Sequence, residues 1–114
     1  MMNLRRSLPV PSDKTEKREI ARFGGTPQKN SGRGLYQKGD AKLGPFIVDV
    51  KEYGKSFGLS KKVWLKISSD AVKCSGEPAL NVVLGDTETN RLRLWVVQED
   101  MFEQMMAAWM EKYE

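Results

Sequence analysis

The run FIVDVKEY, residues 46–53, constrains the fold more than any other part of the chain. It is short, rich in β-branched and aromatic residues, and bounded by Gly44-Pro45 and Gly54, which is the signature of a strand. A strand period of two puts Phe46, Val48 and Val50 on one face, and Ile47, Asp49 and Lys51 on the other. The apolar face on one side and Ile47 on the other predict a central strand. A carboxylate and an ammonium there are poor packing material, because burying unpaired charge is costly. Either they pair as a salt bridge on an edge strand, or they serve chemistry.

A chain of 114 residues suits one domain with a modest core, which dimerisation would help to complete. The net charge of +4 is mild, but it is unevenly placed. Arg5, Arg6, Lys14, Lys17, Arg18, Arg22, Lys29, Arg33 and Lys38 are opposed before residue 39 only by Asp13, Glu16 and Glu19. The C-terminal end reverses this, with Glu99, Asp100, Glu103, Glu111 and Glu114 against Lys112. A basic end points to a polyanion such as nucleic acid, or equally to a solvated arm.

The chain contains no histidine, which excludes Ser-His-Asp and Cys-His catalysis and histidine-dependent nucleases within it. With Cys74 as the single thiol, an intrachain disulfide is excluded, and one thiol with no imidazole is a poor donor set for zinc. Any metal is expected to be a hard cation on carboxylate and backbone oxygens. No apolar run is long enough to span a bilayer, and the first residues lack the apolar core of a secretory signal. The expected setting is therefore intracellular, cytoplasmic and reducing.

Residues 1–12 read as a flexible lead broken by Pro9 and Pro11, followed by a single domain over 13–114. Asp13 is placed to cap a first helix running to Phe23, which Gly24-Gly25 and Pro27 end. Residues 24–40, GGTPQKNSGRGLYQKGD, are too polar for core. Ser60 is a candidate N-cap for a helix to about Ser75, in which Val63, Trp64, Ile67, Ala71 and Cys74 recur at helical steps. PALNVVLG (78–85) reads as a buried strand, DTETN as a turn and RLRLWVV (91–97) as its hairpin partner. A helix over 98–113 closes the chain, with Met101, Met105, Trp109 and Tyr113 on one stripe beside Phe102, Met106 and Met110. That stripe is expected to be core or subunit contact. The order is α-β-β-β-α-β-β-α, an α/β fold with a mixed sheet flanked by helices.

Asp40 lies nine residues before Asp49, with a turn at Leu43-Gly44-Pro45 between them. A hairpin there would bring the two carboxylates face to face on adjacent strands, where a cation such as Mg²⁺ or Mn²⁺ would offset their repulsion. Lys51 would sit beside it, suited to orienting a water and offsetting charge on a phosphate.

This arrangement resembles the PD-(D/E)xK nucleases, and more narrowly the small Holliday junction resolvases of archaea and bacteriophages. The matching segments are Glu16 on the first helix, Gly24-Gly25, Ser31-Gly32, Lys38-Gly39-Asp40, Asp49-Val50-Lys51, the helix from Ser60 and PALNVVL. Together they span about residues 13–97, and the KGD plus DVK pairing is the most specific part. The resemblance implies a restriction-endonuclease-like fold. It implies Asp40, Asp49, Glu16 and the Val50 backbone carbonyl as Mg²⁺ ligands, with Mn²⁺ as a substitute, and Lys51 as the catalytic lysine. Glu19 stands one turn further along the helix as the fallback for Glu16, unless it is a solvated surface acid. Lys29, Ser31, Arg33 and Lys38, with Arg18 and Arg22, would contact DNA. Two residues depart from the family pattern: Asp49 where many relatives have glutamate, and Gly39 where the motif's name has proline.

The expected activity is therefore paired phosphodiester hydrolysis in branched DNA by a homodimer, matching the near two-fold symmetry of a four-way junction. Competing readings are a nuclease of the same kind acting on flaps, ends or mismatched duplex, a non-catalytic DNA-binding module, and a protein-interaction domain.

Overall fold

The computed structural model describes residues 13–28 and 41–114, with side chains from residue 17 onward in the first segment. The elements are α1 (Asp13–Phe23), β1 (Thr26–Pro27), β2 (Ala41–Leu43), β3 (Phe46–Tyr53), α2 (Lys61–Lys73), β4 (Glu77–Leu84), β5 (Leu92–Val97) and α3 (Glu99–Tyr113), with a 3₁₀ turn at Glu88–Asn90. The fold is α/β, with one mixed five-stranded sheet in the order β1-β2-β3-β4-β5. β1, β2 and β3 are successively antiparallel, β3 and β4 run parallel, and β4 and β5 are antiparallel. The parallel pair needs a crossover, which α2 supplies.

β3 and β4 take the middle of the sheet because they are the segments with apolar residues on both faces. Along β4 every residue from Pro78 to Val83 is buried, as a strand covered on both sides requires. On one side of the sheet Ile20 of α1 packs with Ala41, Val48, Val50 and Ala79, and Phe23 joins them. On the other, Ile67 of α2 packs with Leu80 and Val82, flanked by Val63 and Trp64. The helical repeat read from residues 63–74 is thus the face that α2 buries.

Ser60 caps α2, its hydroxyl accepting from the Val63 N–H at 3.1 Å. Gly85 (φ +136) turns the chain out of β4, and a Cβ there would run into the Asn90 carbonyl and Arg91 Cα. The Trp64 indole N–H donates to Gln98 Oε1 at 2.9 Å, tying α2 to the residue before α3.

Of the two roles expected for the α3 stripe, core and subunit contact, the described residues show little of the first: only Met101 is buried, while Phe102, Met105, Trp109, Met110 and Tyr113 are exposed. The stripe's helical spacing was legible, but periodicity alone cannot say what lies against it.

Candidate functional site

β3 carries the charged pair exactly where strand alternation puts it, between neighbours rather than at a margin: β2 lies on one side and β4 on the other. The strand is therefore interior and not an edge, but the salt bridge of the structural alternative does form. Asp49 is in register with Leu80 and Lys51 with Val82. Both partners belong to the cluster under α2, so Asp49 and Lys51 share the α2 side of the sheet. Their charged atoms lie 3.4 Å apart, with side chains 20% and 31% exposed. The pair is partly buried and keeps some contact with solvent. Val50, between them, faces α1 and is buried.

The hairpin expected before Asp49 is present. Ala41 pairs with Val48, Lys42 with Ile47 and Leu43 with Phe46. Asp40 itself lies outside the described residues, as do Lys29, Ser31, Arg33 and Lys38 and the side chain of Glu16. Among the described residues no group of three or more carboxylate or thiol side chains converges as a cation site would require. Asp49 is the one carboxylate of the expected set whose side chain is described.

Arg18 and Arg22 are placed, and both are engaged within the chain. Arg18 Nη1 lies 3.2 Å from Glu88 Oε2 on the surface. Arg22 Nε donates to Glu19 Oε1 at 2.9 Å and stays 40% exposed.

Glu19 is not a solvated helix-face acid. It is 4% exposed and takes two hydrogen bonds from Arg93, at 3.1 Å and 3.2 Å, in the forked geometry of a strong pair. Arg91 bridges it to Glu52, with Nη1 donating to Glu52 Oε2 and lying 3.9 Å from Glu19 Oε2. Glu52 follows Val48 and Val50 on the α1 side, in one cross-strand row with Val83 and Arg93. The Glu19 network therefore sits on the opposite side of the sheet from Asp49 and Lys51, which removes Glu19 as the fallback ligand there. Burial raises the Glu19 pKa, but the hydrogen bonds and charges of Arg93 and Arg22 outweigh it and hold the carboxyl below its ordinary value. The Glu19 hydrogen bond leads in raising the Arg93 pKa.

This network was not foreseen from the sequence. Arg91 and Arg93 alternate on a strand and Glu19 and Arg22 are three apart on a helix, but Glu19 and Arg93 lie 74 residues apart. No local signal joins them.

Comparison with family models, with curated proteins and with solved structures finds no match to this chain.

Proposed function

We propose that the chain is a metal-dependent, structure-selective DNA endonuclease that resolves four-way junctions, built on a restriction-endonuclease-like sheet. The observation that carries this reading is the Asp49–Lys51 pair at 3.4 Å, half-buried on a central strand that forms a hairpin with β2. A strand that spends two inward positions on opposite charges, and leaves both reachable by solvent, has kept them for a ligand. The resemblance over Lys38-Gly39-Asp40 and Asp49-Val50-Lys51 gives that ligand its class: a phosphodiester.

In this reading Asp49, Asp40 and the Val50 carbonyl would hold Mg²⁺, which would supply polarisation of the phosphoryl oxygen and a more acidic water; Glu16, expected to complete the set, belongs to α1, which packs on the other side of the sheet from Asp49. Lys51 orients the attacking water and offsets negative charge on the scissile phosphate. The ion pair with Asp49 keeps the ammonium aimed at the same spot before substrate arrives. Lys29, Ser31, Arg33 and Lys38 serve the DNA backbone, and Arg18, whose pair with Glu88 is on the surface, can exchange that partner for a phosphate, while Arg22 stays held by Glu19. Recognition is by shape and charge, and two copies provide the paired nicks.

The test is cleavage of a labelled immobile four-way junction and of its matching linear duplex, each with Mg²⁺ and with EDTA, beside Asp49→Asn. Paired Mg²⁺-dependent cuts in the junction alone, lost in the variant while binding persists, are the expected result. Cutting of both substrates reassigns the protein to flaps, ends or general duplex. Binding with no cutting under Mg²⁺ or Mn²⁺ removes the catalytic claim and leaves a DNA-binding module.

A further inference from the structure

We propose that Lys42, Lys66 and Lys73 form a cationic track that holds the phosphate backbone of a DNA arm beside the Asp49–Lys51 pair. The identity of the partner rests on the phosphodiester reading of that pair; the track itself rests on the fold.

β2 and α2 bring the three lysines together from separate parts of the chain. Lys42 is in register with Ile47, and Ile47, Asp49 and Lys51 alternate onto one face of β3. Lys42 therefore stands on the α2 side of the sheet, one strand out from the pair, and it is exposed.

On α2 the orientation follows from Trp64. Its indole reaches Gln98, the residue that follows β5, and Val96 of β5 joins the same cluster. Trp64 thus marks the flank of α2 that faces β5. Lys66 and Lys73 come two and nine residues later, about 180–200° around the helix from it. Both therefore belong to the opposite flank, the one bordering β3, and both are exposed. Ile67 packs with Leu80 and Val82, the register partners of Asp49 and Lys51, so Lys66 is level with the charged pair. Lys73 lies about 10 Å further along the axis. That end of the helix leads to Gly76, where a Cβ would meet the Ile47 side chain, and Ile47 is the register partner of Lys42.

Charge selects the occupant. On the α1 side Arg18, Arg22, Arg91 and Arg93 each pair with a carboxylate. Among the described residues Lys42 and Lys73 form no ion pair, and Lys66 meets Asp70 at 3.3 Å with its own side chain 71% exposed. A pair so open exchanges readily for a phosphate. With Lys51, four lysines stand here against Asp49 and Asp70. Lysines fixed on a helix and a sheet suit a stiff polyanion with regularly spaced charges. The roughly 10 Å from Lys66 to Lys73 spans about three steps of a duplex strand. A flexible acidic peptide would meet the same charges, but not the pair to which they lead. Point contacts of this kind read no bases, so the affinity they add is independent of sequence.

Fluorescence anisotropy of a labelled four-way junction with the full chain tests this in EDTA, at salt from about 50 to 200 mM. The variant is Lys42→Gln, Lys66→Gln and Lys73→Gln together; the control is Lys17→Gln, Lys61→Gln and Lys112→Gln, which removes equal charge elsewhere. All six side chains are exposed, so folding is not endangered. The expected result is affinity at least tenfold weaker in the variant than in the control, with a salt slope reduced by about three. Equal losses in variant and control overturn the track, because charge at any position would then serve. Native affinity in the variant overturns it as well. Both results leave the nuclease reading standing, whereas a native chain that binds no DNA at low salt overturns track and reading together. Binding that depends on the track, in a protein that cuts nothing under Mg²⁺, supports the track and removes the nuclease reading alone.

Discussion

The two sides of the sheet treat charge in opposite ways. On the α1 side Glu19, Glu52, Arg91 and Arg93 are interlocked, and Glu19 takes hydrogen bonds from both Arg93 and Arg22. On the α2 side Asp49 and Lys51 meet only at 3.4 Å and remain partly in solvent. The first arrangement resists being taken apart, since removing one partner strands another in a poorly solvated place. The second loses little if a partner is exchanged for a phosphate or a cation. Within one strand, Lys51 and the adjacent Glu52 thus fall into different classes simply by pointing to different sides. The lesson is that a charged residue in a strand is judged by which side it faces and how fully that side answers it.

The largest effect that would break this contrast concerns activity on the α2 side. Asp49→Asn and Lys51→Ala are expected to lower junction cleavage by about 100-fold or more. Their cost in folding stability should stay within about 1 kcal/mol, because both side chains keep contact with solvent. Urea unfolding beside the cleavage assay reads both numbers. A large loss of stability in either variant would make the pair structural and erase the difference between the two sides.

Next in size is the α1 side, where the effect should fall on stability. Glu19→Gln is expected to cost about 3 kcal/mol, since Arg93 and Arg91 lose their buried acceptor. In a domain this size that lowers Tm by roughly 10 °C. Adding Arg93→Met should restore part of the loss, because the stranded charge goes with it. Differential scanning calorimetry of the single and double variants decides this; equal losses in both would mean that the pairing is incidental.

A smaller, pH-borne version of the same test follows from the sign of the Glu19 shift. Its folded pKa is below its ordinary value, so the unfolded chain binds the proton first. The stabilisation is complete above the ordinary carboxyl pKa and is lost as pH falls through the lower, folded one. Urea midpoints followed downward from neutral pH should fall more steeply for the native chain than for Glu19→Gln. Parallel curves would show that the network does not titrate with folding.

Much of this layout was legible in the sequence, and the reasons differ by element. β3, β4 and α2 announce themselves through apolar periodicity, which is a local property of a few residues. Asp49 and Lys51 were legible because they interrupt that periodicity. Glu19 was misjudged because its burial depends on Arg93, a residue far along the chain, and helix-face acids are usually solvated. The α3 stripe was read correctly as apolar, yet its burial depends on what packs against it, and in this chain only Met101 is covered. Pattern gives the element and its face; what covers that face is a question of topology.

The smallest expected effect tests whether the α2 side is as insensitive as the comparison requires. Ser60 satisfies one N-terminal N–H of α2, and Ser60→Ala should cost about 1 kcal/mol. α2 touches β4 mainly through Ile67, Leu80 and Val82, and those contacts do not depend on the cap. The helix start should fray while Leu80 and Val82, the strand partners of Asp49 and Lys51, stay covered. Cleavage by Ser60→Ala at a temperature well below its Tm should therefore equal that of the native chain. A drop of about tenfold or more under those conditions, in a protein with native circular dichroism, would mean that the start of α2 itself holds the substrate. The charged pair would then be one part of a site that reaches the first turn of that helix, and the α2 side would be as interdependent as the α1 side.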